Sequence, residues 1–160
     1  PARRLDKFGM FCDLAASFGL RVGVEFYPPS QVRSLADALE LVQAVGRPGQ
    51  VGVNVDLLHL MRSGGSIAEL AAAPAEYILY GQLCDGAASC PEDRIDQEAS
   101  SARLLAGEGV FDLAGFARAL PDDCPASVEL PRNAVLEAGV PVAERVRLAV
   151  ESVREAIAAG

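Results

Sequence analysis

Short Val-rich runs alternate with stretches whose apolar residues recur at helical spacing, and this predicts an α/β fold on parallel strands. The runs are apolar nearly throughout, as strands covered on both faces are. Each also closes on one polar side chain, the feature from which a function can be read.

The first element is an amphipathic helix with Leu5, Phe8, Cys12, Ala15 and Phe18 on one face and Gly19 placed as a left-handed cap. LRVGVEF (20–26) then predicts a strand. Ser34 and Asp37 form a capping box ahead of a helix with Leu35, Leu39, Val42 and Val45, ended by Gly46. QVGVNVD (50–56) is the second strand, and Ser66 with Glu69 opens a short Ala-rich helix that stops at Pro74. EYILYGQL (76–83) is the third strand, followed by a polar loop from Asp85 to Glu108. Leu113, Phe116, Ala117 and Leu120 predict a helix ended by Pro121, PASVEL (125–130) a fourth strand, and residues 142–158 a last helix with Val142, Val146, Ala149, Val153 and Ile157 on its face. The whole of 1–160 reads as a single domain. Four βα units fit either a doubly wound sheet or part of a barrel, and periodicity does not choose between them.

With 160 residues, 51% of them hydrophobic, and a net charge of −8, the chain can bury a substantial core while repelling phosphate backbones and anionic membrane surfaces. Nucleic acid and membrane are therefore excluded as expected partners, and no apolar run is long enough to span a bilayer. Cys12, Cys84, Cys90 and Cys124 contain no CxxC pair and predict reduced thiols in a cytoplasmic protein. The chain opens without Met, in what reads as a helix under way, which predicts that residues precede it.

Glu25, Asp56, Gln82 and Glu129 stand at the ends of the successive strands. Ligands bind at the carboxyl ends of parallel strands, so these groups are expected to converge on one rim. Carboxylates gathered there repel unless their pKa values rise or a cation joins them. Three carboxylates and an amide oxygen form a hard donor set suited to Mn²⁺ or Mg²⁺, with Co²⁺ or Zn²⁺ admissible.

His59, the only histidine, lies three residues beyond Asp56 among Leu57, Leu58, Leu60 and Met61, a setting that fits either a packed residue or a proton carrier. Arg103 and Arg132 follow the third and fourth strands and are either solvated or placed to pair a substrate carboxylate or phosphate. Glu108 lies between Gly107 and Gly109, in backbone able to approach a ligand.

Glu25, the Asp56-Leu-Leu-His59 motif, position 82 and Glu129, in that order, resemble the xylose isomerase-like TIM-barrel superfamily of sugar isomerases and epimerases. GEGVFD (107–112) is similar to the family's Gly-Glu-Gly segment. The resemblance implies a (β/α) TIM-barrel-like fold of which only the C-terminal four βα units are present. It also implies a metal on Glu25, Asp56, Gln82 and Glu129, with His59 touching substrate. A sugar or related polyhydroxy carbonyl compound would be isomerised or epimerised, Glu25 or Glu129 removing the proton beside the carbonyl and a metal-stabilised enediolate following. Gln82 stands where most members have His, as in the branch that includes some 3-dehydroshikimate dehydratases, so a dehydratase of dehydroshikimate or inosose type is the alternative. A DNA-repair endonuclease of related fold is excluded by the single histidine and the acidic charge.

A complete barrel needs about 250 residues. The chain is therefore expected to be a fragment, or a half-barrel covered by the missing half or by another copy, with a non-catalytic assembly module as the remaining reading.

Overall fold

The computed structural model describes residues 2–160, with side chains from Arg4 onward. In order, α1 (Ala2–Ser17), β1 (Val22–Glu25), α2 (Leu35–Val45), β2 (Val51–Asp56), α3 (Leu57–Arg62), α4 (Ile67–Ala72), β3 (Ile78–Leu83), α5 (Ile95–Ser101), α6 (Leu113–Ala119), β4 (Ala126–Val128), α7 (Asn133–Glu137) and α8 (Val142–Ala159) make four βα units. The strands form one sheet in the order β1-β2-β3-β4, and every pairing is parallel. This is the TIM-barrel-like α/β arrangement over part of a barrel.

Local chemistry places the helix ends where the sequence signals them. Ser34 accepts the Asp37 N–H at 3.2 Å and Ser66 accepts the Glu69 N–H at 3.1 Å. Gly46, at φ +68°, ends α2 in the left-handed region that a side chain would resist.

Three expectations are corrected. Residues 57–62, to which the sequence assigned no element, are helix, because Asp56 both ends β2 and caps α3. The expected loop from Asp85 to Glu108 contains α5, which fully buries only Ala99. It carries no apolar stripe by which a sequence could announce it.

The third correction concerns coverage. β2 is buried almost throughout, whereas β1 leaves Gly23 and Glu25 exposed and β4 is at most half-buried. β1 and β4 are the outer strands, each with one neighbour, so water reaches a face that the central strand keeps dry.

The core lies between the sheet and its helices, with Phe26, Leu35, Val42, Val51, Val53, Val55, Leu57, Leu58 and Phe116 fully or almost fully buried. On α1, Met10, Phe11 and Leu14 remain exposed, as do Phe18 just past its end and Val142 and Val146 on α8. Among the described residues, no helix is long and apolar enough to cross a membrane.

Candidate active site at the strand ends

Register brings the strand-end residues together. Side chains alternate along a strand, so Asn54 and Asp56 share a face of β2. Glu25 on β1 pairs with Asn54. Between β2 and β3 the register slips by one residue after Val53, so that Gln82 pairs with Asp56. Without that slip Gln82 would point to the opposite face. Glu129 follows β4 immediately and extends the ladder, its N–H donating to Leu83 O at 3.0 Å.

Asp56 is wholly buried. Its Oδ1 accepts the His59 N–H at 3.0 Å, the bond that starts α3, and its Oδ2 accepts from Arg103 Nη1 at 2.5 Å. His59 is thereby fixed on the first turn of α3, with Nε2 3.4 Å from Glu25 Oε1 and its ring 4.8 Å from that of Tyr27. Its Nδ1 is buried without a hydrogen-bond partner, as is Asn54 Oδ1. Glu25, Asp56 and His59 each offer a ligand atom within 4.8 Å of the others.

Arg103 is only 2% exposed, which corrects the reading of it as solvated. Besides Asp56 it reaches Ala99 O at 3.0 Å, Cys84 Sγ at 3.5 Å and Glu129 Oε1 at 3.7 Å. Burial opposes its charge, but Asp56 with Cys84 and Glu129 raises the guanidinium above its ordinary value, so it remains a cation. Gln82 accepts from Asn54 Nδ2 at 2.5 Å through Oε1 and donates through Nε2 to Glu129 Oε2.

Burial pushes the Glu129 carboxyl up; Arg103 pulls it down, while Asp56 and Glu25 add to the rise and His59 opposes it. A carboxyl lifted in this way is suited to taking and returning a proton. The Cys84 thiol is pushed up to about 12, chiefly by burial and then by Asp56.

Arg132 and Glu108 pair with each other at 3.2 Å, and the structure shows neither of them in contact with the carboxylate set. Their loops are nonetheless joined to the site: Arg103 N–H donates to Pro131 O at 3.2 Å.

Two site residues escaped the sequence reading. Asn54 was visible only as a polar residue two positions before Asp56. Asp85, 1% exposed, accepts backbone N–H groups from Gly86, Gly107, Gly109 and Phe111 at 2.8–3.0 Å and so fixes the Gly-Glu-Gly loop. Its signal was a lone acidic residue just after β3, and its partners other than Gly86 lie more than twenty residues away.

The donor set fits a divalent cation. Three carboxylates against the one guanidinium leave two negative charges uncompensated when His59 is neutral, and His59 Nδ1 and Asn54 Oδ1 are buried polar atoms without partners. Oxygen donors with one imidazole suit Mn²⁺, Mg²⁺, Co²⁺ or Zn²⁺.

Fold and rim together define a parallel α/β partial barrel with a polar site at its strand ends. The chain belongs to the xylose isomerase-like TIM barrel family, whose sequence pattern it matches over residues 2–156. None of the curated proteins matches it. Among solved structures it is similar to the IOLI protein with a bound zinc atom, at 24% identity and TM-score 0.81, covering 96% of this chain and 54% of that one. It is also similar to the probable 3-DHS dehydratase AsbF of Bacillus anthracis, involved in petrobactin synthesis, at 19% identity and TM-score 0.70, covering 92% and 53%. A D-psicose 3-epimerase solved in the presence of D-fructose gives 14% identity and TM-score 0.68, covering 96% and 54%. The chain thus spans about half the length of these proteins, and at these identities the likeness establishes the fold.

Proposed function

We propose that this chain carries the metal-holding and proton-transferring part of a divalent-metal-dependent isomerase or epimerase acting on a sugar or related polyhydroxy carbonyl compound. The observation that carries this reading is the charge left over at the rim: Glu25, Asp56 and His59 bring ligand atoms within 4.8 Å of one another, and the one guanidinium there, Arg103, pairs Asp56 and Glu129 but not Glu25. Glu25, Asp56, Gln82 and Glu129 would hold the ion, with His59 available as a nitrogen donor beside them; Mn²⁺ or Mg²⁺ suits the oxygen-rich set best. When bound, the cation supplies positive charge against the oxygens of an enediolate.

Glu129 takes the proton from the carbon beside the carbonyl, and Glu25 stands as the second carboxylate for return on the other face. Return to the same carbon with inversion epimerises it, and delivery to the neighbouring carbon isomerises. His59 hydrogen-bonds a substrate oxygen from its place on the first turn of α3. Arg103 holds Asp56 in place through their ion pair, and Arg132 with Glu108 binds the distal end of the substrate at the mouth. Because the chain spans half of its solved relatives, we assign the rest of the substrate pocket to a complementary barrel half or a second copy. The four free cysteines fit the cytoplasm.

Gln82 favours a second reading. With an amide where the family resemblance expects His, the same proton abstraction followed by loss of the β-hydroxyl makes the site a dehydratase. A non-catalytic half-barrel would keep the ion and exchange no proton.

Elemental mass spectrometry of the purified chain beside Asp56→Ala tests the metal. About one divalent ion per chain, lost in the variant, supports the reading; no ion in either sinks it. Solvent deuterium exchange into ketoses, inososes and dehydroshikimate then separates isomerase, dehydratase and inert module. Full turnover by His59→Asn would remove His59 from the mechanism.

A further inference from the structure

We propose that Asn54 is a positioning residue that lets Gln82 turn between a donor and an acceptor toward the rim, and so serve as an oxygen ligand. The inference rests on the metal reading above and goes beyond it in naming a residue outside the four-ligand set.

The observation is a chain of amides with one loose end. Asn54 Nδ2 donates to Gln82 Oε1 at 2.5 Å, and Gln82 Nε2 donates to Glu129 Oε2. Asn54 Oδ1 is buried and bonded to nothing. In this arrangement Gln82 turns its NH₂ toward the carboxylates and has its oxygen occupied by Asn54, which suits a carboxylate in need of a donor.

A cation reverses the demand. It calls for the oxygen of Gln82 and repels the NH₂. A primary amide has nearly the same shape after a half turn, with oxygen and nitrogen exchanged. If Asn54 and Gln82 both turn, the contact between them is kept with its direction reversed: Gln82 Nε2 donates to Asn54 Oδ1, and Gln82 Oε1 faces the rim.

Asn54 gives up no hydrogen bond on its other side in making that turn, because its Oδ1 has none to lose. The Glu129 oxygen loses the Gln82 donor and gains the cation. Few side chains could serve both states. A Leu at 54 supports neither, and an Asp accepts without donating and supports only the cation-bound one. Histidine at 82 would have no such oxygen to present, so Asn54 is the counterpart of glutamine at that position.

The test is Mn²⁺ affinity by titration calorimetry on the wild-type chain, Asn54→Leu, Asn54→Asp, Gln82→Ala and the double variant Asn54→Leu/Gln82→Ala, each checked for fold by circular dichroism. Removal of a residue that orients a metal ligand costs roughly 10- to 100-fold in affinity. Asn54→Leu and Gln82→Ala should each lose about that much, and the double variant should bind no more weakly than Gln82→Ala alone, as residues acting through one another do. Asn54→Asp should bind at least as tightly as wild type, which keeps the idea testable if Asn54→Leu fails to fold. Wild-type affinity in Asn54→Leu, additive losses in the double variant, or weakened binding in Asn54→Asp would each overturn it. A wild-type chain that binds no Mn²⁺ would instead overturn the metal reading on which it rests.

Discussion

Arg103 Nη1 lies 2.5 Å from Asp56 Oδ2, and both side chains are almost wholly out of water, at 2% and 0% exposure. The pair joins the loop after β3 to the end of β2. Breaking a buried pair from one side strands the other charge, which costs about 3–5 kcal/mol. Arg103→Met should therefore lose about that much stability in urea unfolding. Stability equal to wild type would mean that Asp56 is compensated by something other than Arg103.

Asp85 and Gly109 form the second testable relationship. One carboxylate takes four backbone N–H groups from Gly86, Gly107, Gly109 and Phe111. Asp85→Asn replaces an acceptor oxygen by a donor, and each N–H left unpaired costs about 1–3 kcal/mol. Faster hydrogen exchange at the Gly107, Gly109 and Phe111 amides is the expected result. Gly109→Ala should do the same from the other side, since a Cβ there would lie 2.3 Å from both Asp85 Oδ1 and Gly86 O. Unchanged protection in both variants would show that the loop does not depend on Asp85.

Glu98 ties α5 to α3 through Arg62, whose Nε and Nη2 each lie 2.6 Å from its carboxylate. Arg62 also stands over the Phe111 ring, 5.3 Å from its centre. Burial of Glu98 works to raise its pKa, but the bonds and charge of Arg62 prevail and lower it from 4.5. A folded value below the unfolded one adds stability that is full above the unfolded value and fades as pH falls through the folded one. Glu98→Gln should be less stable than wild type by about 1.5–3 kcal/mol at pH 7, and the gap should close as pH drops below about 4. A gap that stays constant down to pH 2 would contradict the assignment.

The contrast between α5 and the strands explains what the sequence could and could not reveal. β2 buries Val51, Val53 and Val55 and ends on Asp56, so both its type and its chemistry lay in consecutive residues. Helix α5 buries only Ala99 and is held by side chains on α3, a tertiary reason invisible to periodicity. His59 was legible as a candidate site residue through its spacing from Asp56, whereas its helical setting depended on the Asp56 cap. Asn54 and Asp85 become site residues only once register and loop closure place them, and Arg103 looked solvated until the loop folded it over Asp56.

The outer strands and helices make the last prediction. β1 and β4 each have a single neighbour, and α1 with the turn after it exposes Met10, Phe11, Leu14 and Phe18. Open parallel edges flanked by apolar helix faces favour association. A net charge of −8 on each chain opposes contact between copies. Apolar attraction against charge repulsion has a signature: self-association measured by sedimentation velocity should strengthen as salt screens the charges, the reverse of an ion-paired interface. Phe11→Asp, on a 56% exposed side chain, should weaken that association while leaving unfolding stability within about 0.5 kcal/mol. A monodisperse monomer at all salt concentrations would show that the chain manages its open edges without a second copy, and would leave a complementary barrel half as the partner these edges fit.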